Sequence, residues 1–228
     1  MKKHTNNITE IVFILDRSGS MGGLENDTIG GFNAMLKEQK EKDGKAFVTT
    51  VLFDHERFTL HDRLPIEKVP EMTAKDYTVR GCTALLDAIG YTIEHIKRIH
   101  HYARREDVPA STMFVITTDG YENASRHYSG PAVKKMINAQ KKKGWEFLFI
   151  GANIDAYAEA QKLGVRKERA VNYVSDSVGT ATVYAGVSAA VCRTMMAPSS
   201  MVEKELDASG WADEINEDYN RRSRKVRR

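Results

Sequence analysis

The sequence predicts an α/β protein: a Rossmann-like, doubly wound, mostly parallel sheet with one antiparallel edge strand and helices on both faces. Short β-rich apolar runs alternate with longer segments of helical periodicity. That alternation requires crossovers, which lay neighbouring strands parallel. One pair of runs, Phe47 to Phe53 and Arg57 to Leu64, is joined too tightly for a crossover. It is therefore an antiparallel hairpin. The 228 residues, 41% hydrophobic and 29% charged, suffice for one such domain and an extension, and exclude global disorder.

The elements follow in order. Ile11 to Leu15 is five apolar residues ending at Asp16, short and β-branched, hence a buried strand. Residues 22–41 place Leu24, Ile29, Phe32, Met35 and Leu36 near helical spacing, with Ser20 or Gly22-Gly23 to open the helix and Asp43-Gly44 to end it. Pro65 and Pro70 mark a loop after the hairpin. From Ala84, the positions Leu85, Ile89, Ile93, Ile96 and Ile99 make a second amphipathic helix. Thr112 to Thr117 is a strand running into Asp119-Gly120. Pro131 to Lys143 is a helix, with proline in its first turn and Gly144 at its end. A strand from Glu146 to Ile150, a helix from Asp155 to Leu163, a strand from Ala170 to Val174 and a small-residue helix from Val178 to Met196 complete the pattern. Beyond Pro198 the chain turns polar and acidic around Trp211 and ends in a basic run. Residues 198–228 are expected to be a partly disordered C-terminal extension with a basic tail.

The formal charge of +3 is a property of that tail. Arg221 to Arg228 holds six Lys/Arg and no acid, which leaves 28 basic against 31 acidic residues in the rest. The tail is expected either to neutralise phosphate groups of a nucleic acid, RNA or DNA, or of acidic lipid, or to serve only as a solubilising end. It carries no aromatic residue for base stacking. Cys82 and Cys192 are the only cysteines and have no zinc-type spacing, which suits a reducing compartment. There is no apolar stretch of 18 residues, and the run after Met1-Lys2-Lys3 is too short for a signal core. A cytoplasmic location without membrane insertion is expected.

Three short pieces carry the chemistry. Asp16, Ser18 and Ser20 form an Asp-x-Ser-x-Ser on the loop leaving the first strand, Thr83 immediately precedes the second helix, and Asp119 follows the strand of Thr112 to Thr117. In a doubly wound sheet, ligands bind beyond the carboxyl ends of the strands. Carboxylate and hydroxyl oxygens gathered there suit a small hard cation such as Mg²⁺.

The Asp-x-Ser-x-Ser, the Gly81-x-Thr83 before a helix and the strand-end Asp119-Gly120 resemble the metal-ion-dependent adhesion site of von Willebrand factor A (VWA) domains. The likeness extends over about residues 5–197. It implies the VWA fold, with Ser18, Ser20 and Thr83 giving hydroxyl oxygens to Mg²⁺ or Mn²⁺. Asp16 and Asp119 would bind directly or through water. It also implies a non-catalytic, metal-dependent protein-binding module, in which an Asp or Glu of a partner completes the coordination. A Mg²⁺-dependent phosphoryl hydrolase is the rival, since its pattern also begins with an Asp after the first strand. That chemistry needs a second acid two residues on, where this chain has Ser18. No HExxH, GxGxxG or P-loop pattern occurs.

Overall fold

The computed structural model describes residues 7–42 and 44–226. Asp43, expected to close the first helix, and Arg227 and Arg228 of the basic run lie outside the described residues. Six strands form one sheet: β1 (Ile8–Asp16), β2 (Lys45–Phe53), β3 (Arg57–Pro65), β4 (Ser111–Thr118), β5 (Trp145–Ala152) and β6 (Ala170–Tyr173), in spatial order β3-β2-β1-β4-β5-β6. Every pairing is parallel except that of β2 with the edge strand β3. The chain works outward from β1 on one side, then returns to lay β4 on its other side. β1 and β4 therefore flank the switch point, where a crevice opens at the carboxyl ends of the strands.

Among the described residues, seven helices cover the sheet: α1 (Glu25–Lys40), α2 (Leu85–Tyr102), α3 (Gly130–Lys141), α4 (Ala156–Lys162), α5 (Ser177–Met196), α6 (Val202–Ala208) and α7 (Asp213–Val226). Side chains alternate across a strand, so β1 feeds two cores. Ile11, Phe13 and Leu15 pack on one face with residues of α1, α5, α6 and α7. Val12 and Ile14 pack on the other with residues of α2, α3 and α4. Burial on both faces accounts for the unbroken apolar run in β1.

The expected strands and helices all form, with ends shifted by up to three residues. One shift of three residues is instructive. The first helix begins at Glu25 because Gly19–Met21 makes a 3₁₀ turn and Gly23 takes φ +91°. Neither expected opener caps it: the residue at the cap is Leu24, which offers no side-chain hydrogen bond. Beyond Pro198, where a partly disordered extension was expected, the chain instead forms α6 and α7. Val202, Leu206, Trp211 and Ile215 are buried in the α1/α5 core. This segment is polar overall, so its four well-spaced apolar residues were masked by the composition.

Candidate metal centre

Parallel pairing puts Leu15 opposite Thr117, so the ends of β1 and β4 emerge side by side. Asp16 and Asp119 leave the sheet at those two ends, each 1% exposed. The Asp16 carboxylate is fixed on both oxygens: Oδ1 accepts the Ser18 amide at 2.7 Å and Oδ2 accepts the Thr118 hydroxyl at 2.6 Å. Its main-chain carbonyl accepts the hydroxyl of buried Tyr77. Ser18 and Ser20 place their Oγ atoms 3.2 Å apart, and Ser20 donates to Asp119 Oδ1. Thr83 closes the ring: a Cβ added to Gly120 would stand 3.4 Å from both Ser20 Oγ and Thr83 Oγ1. All five sequence-selected residues therefore meet at one point. Ser18 and Thr83 are buried, whereas Ser20 is exposed and marks the mouth.

Two loops hold this geometry. Gly19 N donates to Gly81 O at 3.1 Å and Arg80 N to Arg17 O at 2.9 Å, zipping the Asp-x-Ser-x-Ser loop to the one carrying Thr83. Gly81 needs its φ of +67°, and any Cβ there would meet the His55 ring at 2.1 Å. Asn123 Oδ1 accepts the Thr83 amide at 2.9 Å, and Thr83 O accepts the amides of Asn123 and Ala124. Thr83 does not cap α2, because Ala84 occupies that position. Glu122, three residues after Asp119, is a strut. Its oxygens accept the amides of Leu86, Ala124 and Ser125 and the Ser125 hydroxyl. Sequence reasoning missed Tyr77, Thr118 and Asn123; only Thr118, beside Asp119, carried any positional signal.

The electrostatics are unbalanced. Burial pushes the Asp16 carboxyl up, with the Thr118 and Ser18 hydrogen bonds opposing it. Burial likewise raises Asp119, to about 6; the Ser20 hydrogen bond pulls against this and the Asp16 charge adds to it. Asp119 Oδ2 is inaccessible and accepts no hydrogen bond. Among the described residues neither carboxylate has an ion-pair partner. Arg17, inside the motif, turns away to Asp54 at 2.9 Å. A buried carboxylate oxygen with no donor is costly. A cation lying among these oxygens would remove the cost, so the residues fit a hard divalent ion.

A second group, Asp54, His55 and Glu56, brings its ligand atoms within 4.8 Å of one another. Asp54 is already paired with Arg17 at 2.9 Å and Arg80 at 3.0 Å, and Glu56 with Arg80 at 2.8 Å. Two guanidiniums occupy the place of a cation, so this group is an ion-pair network anchored on buried Asp54, with Arg80, His55 and Glu56 exposed.

No protein-family model and no curated relative matches the sequence. Solved structures do match the fold. The von Willebrand factor type A protein of Catenulispora acidiphila superposes with a TM-score of 0.55 at 17% identity, over 83% of this chain and 43% of that one. The vWF domain of the type V pili tip protein Mfa5 from Porphyromonas gingivalis gives 0.58 at 12% identity, over 83% and 96%. The manganese-loaded TRAP protein of Plasmodium vivax gives 0.53 at 16% identity, over 77% and 71%. The chain spans about half the length of several of the solved chains it matches. With one antiparallel edge strand on an otherwise parallel six-stranded sheet, the polypeptide has the von Willebrand factor A fold.

Proposed function

We propose that this protein is a non-catalytic, divalent-metal-dependent protein-binding module. Asp16, Ser18, Ser20, Thr83 and Asp119 would hold Mg²⁺ or Mn²⁺, and an Asp or Glu of a partner protein would complete the shell. The observation that carries this reading is the Asp119 carboxylate, buried, without counter-charge and with Oδ2 lacking any donor. A bound ion would supply an electrophilic centre for an outside carboxylate; three neutral hydroxyls and two carboxylates neutralise its charge only on formal count. The exposed Ser20 at the mouth gives such a carboxylate its approach. The TRAP protein, of the same fold, is manganese-loaded.

The hydrolase reading loses support at the same site. Ser18 stands where an acid is needed, and Glu122 is consumed by four hydrogen bonds. The test is titration calorimetry with Mg²⁺ and Mn²⁺, paired with partner capture in Mg²⁺ and in EDTA. One site per chain, lost in Asp16→Ala, and capture that needs the metal are expected. Saturation at about 100 times Kd should add about 2.7 kcal/mol of stability. Absence of binding, or equal capture in EDTA, overturns the proposal, as would Mg²⁺-dependent phosphatase turnover that Asp16→Asn abolishes.

A further inference from the structure

At the opposite edge of the sheet, where α2 ends and β5 begins, a cleft of about 850 Å³ opens between α2 and the C-terminal end of α3. Lys97, Arg98, His101 and Lys143 line it and are exposed. Its single acid, Glu94, is engaged by the Tyr128 hydroxyl. Lys143 also belongs to a second depression along the outer face of α3, which adds Lys134, Lys135 and Lys142 and contains no acid. Among the described residues none of these Lys and Arg side chains has an ion-pair partner. The cations therefore form a continuous unneutralised strip.

Two features set this strip apart from ordinary solvated lysines. Helix C-termini attract cations, which accounts for Lys142 and Lys143. It does not account for Lys134 and Lys135, which lie in the N-terminal half of α3, away from that terminus. The cleft also has polar and aromatic fittings. Gln140, which lines the cleft, is 4% exposed, and its Oε1 has no hydrogen-bond partner. Tyr102 is 79% exposed on the rim, an aromatic face left open to solvent.

We propose that the strip along α3 and the end of α2 binds single-stranded nucleic acid. The lysines and Arg98 would neutralise successive phosphates. Tyr102 would offer a stacking surface to an unpaired base, and the Gln140 amide would meet a base or sugar edge inside the cleft. The strip runs about 13 Å from Lys134 to Lys143 at 1.5 Å per residue, long enough for a backbone rather than a single phosphate. This transfers the phosphate-binding role from the C-terminal tail. Arg221 is tied to Asp218 at 2.8 Å, and Arg222 to Asp176 and Asp218, so the first two cations of that run are already neutralised.

The experiment is fluorescence anisotropy of a labelled oligothymidylate of about 20 nucleotides, a length above the roughly 4–16 nucleotides that such grooves occupy. The intact chain is used in EDTA, so that the site at the other edge takes no part. Binding should weaken about 100-fold between 50 and 200 mM salt if about five phosphates are contacted. Lys97→Glu/Arg98→Glu and Lys135→Glu/Lys143→Glu should each lower affinity at least about tenfold at the lower salt. Tyr102→Ala should lower it about tenfold, within the range for one stacked base, and leave the salt dependence unchanged. Circular dichroism on each variant confirms the fold, and these positions are exposed enough to tolerate change. Three results overturn the proposal: no binding at 50 mM salt, binding lost on substituting Arg224 and Lys225 but kept in both strip variants, or preference for phosphatidylserine vesicles over the oligonucleotide.

Discussion

Asp119 carries the sharpest consequence for single residues. Its folded carboxyl titrates near 6 against an ordinary value of 3.8, with burial as the main cause. Between those values the metal-free folded state holds a proton that the unfolded chain has lost. Stability from this group is thus highest below about pH 4 and falls as the pH rises through 6. Melting of the EDTA-treated protein from pH 4.5 to 7 should show this loss, and Asp119→Asn should reduce it, leaving the part due to Asp16. Excess Mg²⁺ should reverse it, since ionised carboxylates are then the favoured form. A wild-type profile unchanged by Asp119→Asn would show that Asp119 has a counter-charge in solution. The five oxygen donors were legible in the sequence because Asp16, Ser18, Ser20 and Asp119 sit next to glycine or just past a strand's last residues, and Thr83 stands immediately before a helix. The supporting contacts were not. Tyr77 reaches the Asp16 carbonyl across 61 positions of sequence, and nothing local announces it.

The elements show the same division. Strand cores were legible because burial on both faces demands continuous apolar runs; the start of α1 was not, because the site recruits the residue expected to cap it. Ser20 looked like a cap for α1, yet its hydroxyl points to Asp119. The adjacent glycines of α1 separate propensity from packing. Gly30 faces solvent, with nothing within 4 Å of a Cβ, whereas a Cβ on Gly31 would lie 2.3 Å from the Tyr184 ring of α5. Gly30→Ala should therefore stabilise by about 0.5–1 kcal/mol, the usual helical difference between the two residues. Gly31→Ala gains the same propensity but must push a buried aromatic ring aside, at a typical overpacking cost of about 1–3 kcal/mol. It should be neutral to destabilising by about 2 kcal/mol, and urea denaturation distinguishes the two signs. Two stabilising substitutions would mean that α1 and α5 pack less closely at this crossing.

At the scale of the whole molecule, the metal-site edge and the basic strip lie at opposite ends of the strands, so one molecule can engage a partner at each without a steric conflict. What keeps the two ends in fixed relation is the sheet with its helical covers, and α6 and α7 are part of that cover. The likeness to VWA domains read from sequence stops near Ala197, yet α7 packs on both α5 and β6. Trp211 is 4% exposed within the α1/α5 core, and a Cβ on Gly186 of α5 would stand 2.5 Å from the Trp211 carbonyl. The chain after Pro198 thus closes over α5 at a contact that only glycine permits. Arg222 adds a tie to Asp176, the residue that caps α5. If residues 198–226 are integral to the domain, Trp211→Ala should cost about 3–5 kcal/mol, as removal of a buried tryptophan does. It should also lower the single cooperative transition rather than produce a second one. If they form a separate appendage, the same variant would leave the main transition within about 0.5 kcal/mol of wild type, as surface substitutions do. Urea unfolding followed by far-ultraviolet circular dichroism and tryptophan fluorescence decides between them, because Trp145 begins β5 and reports on the sheet while Trp211 reports on the cover. In wild type the two probes should give coincident transitions; a cover that unfolds first would separate them.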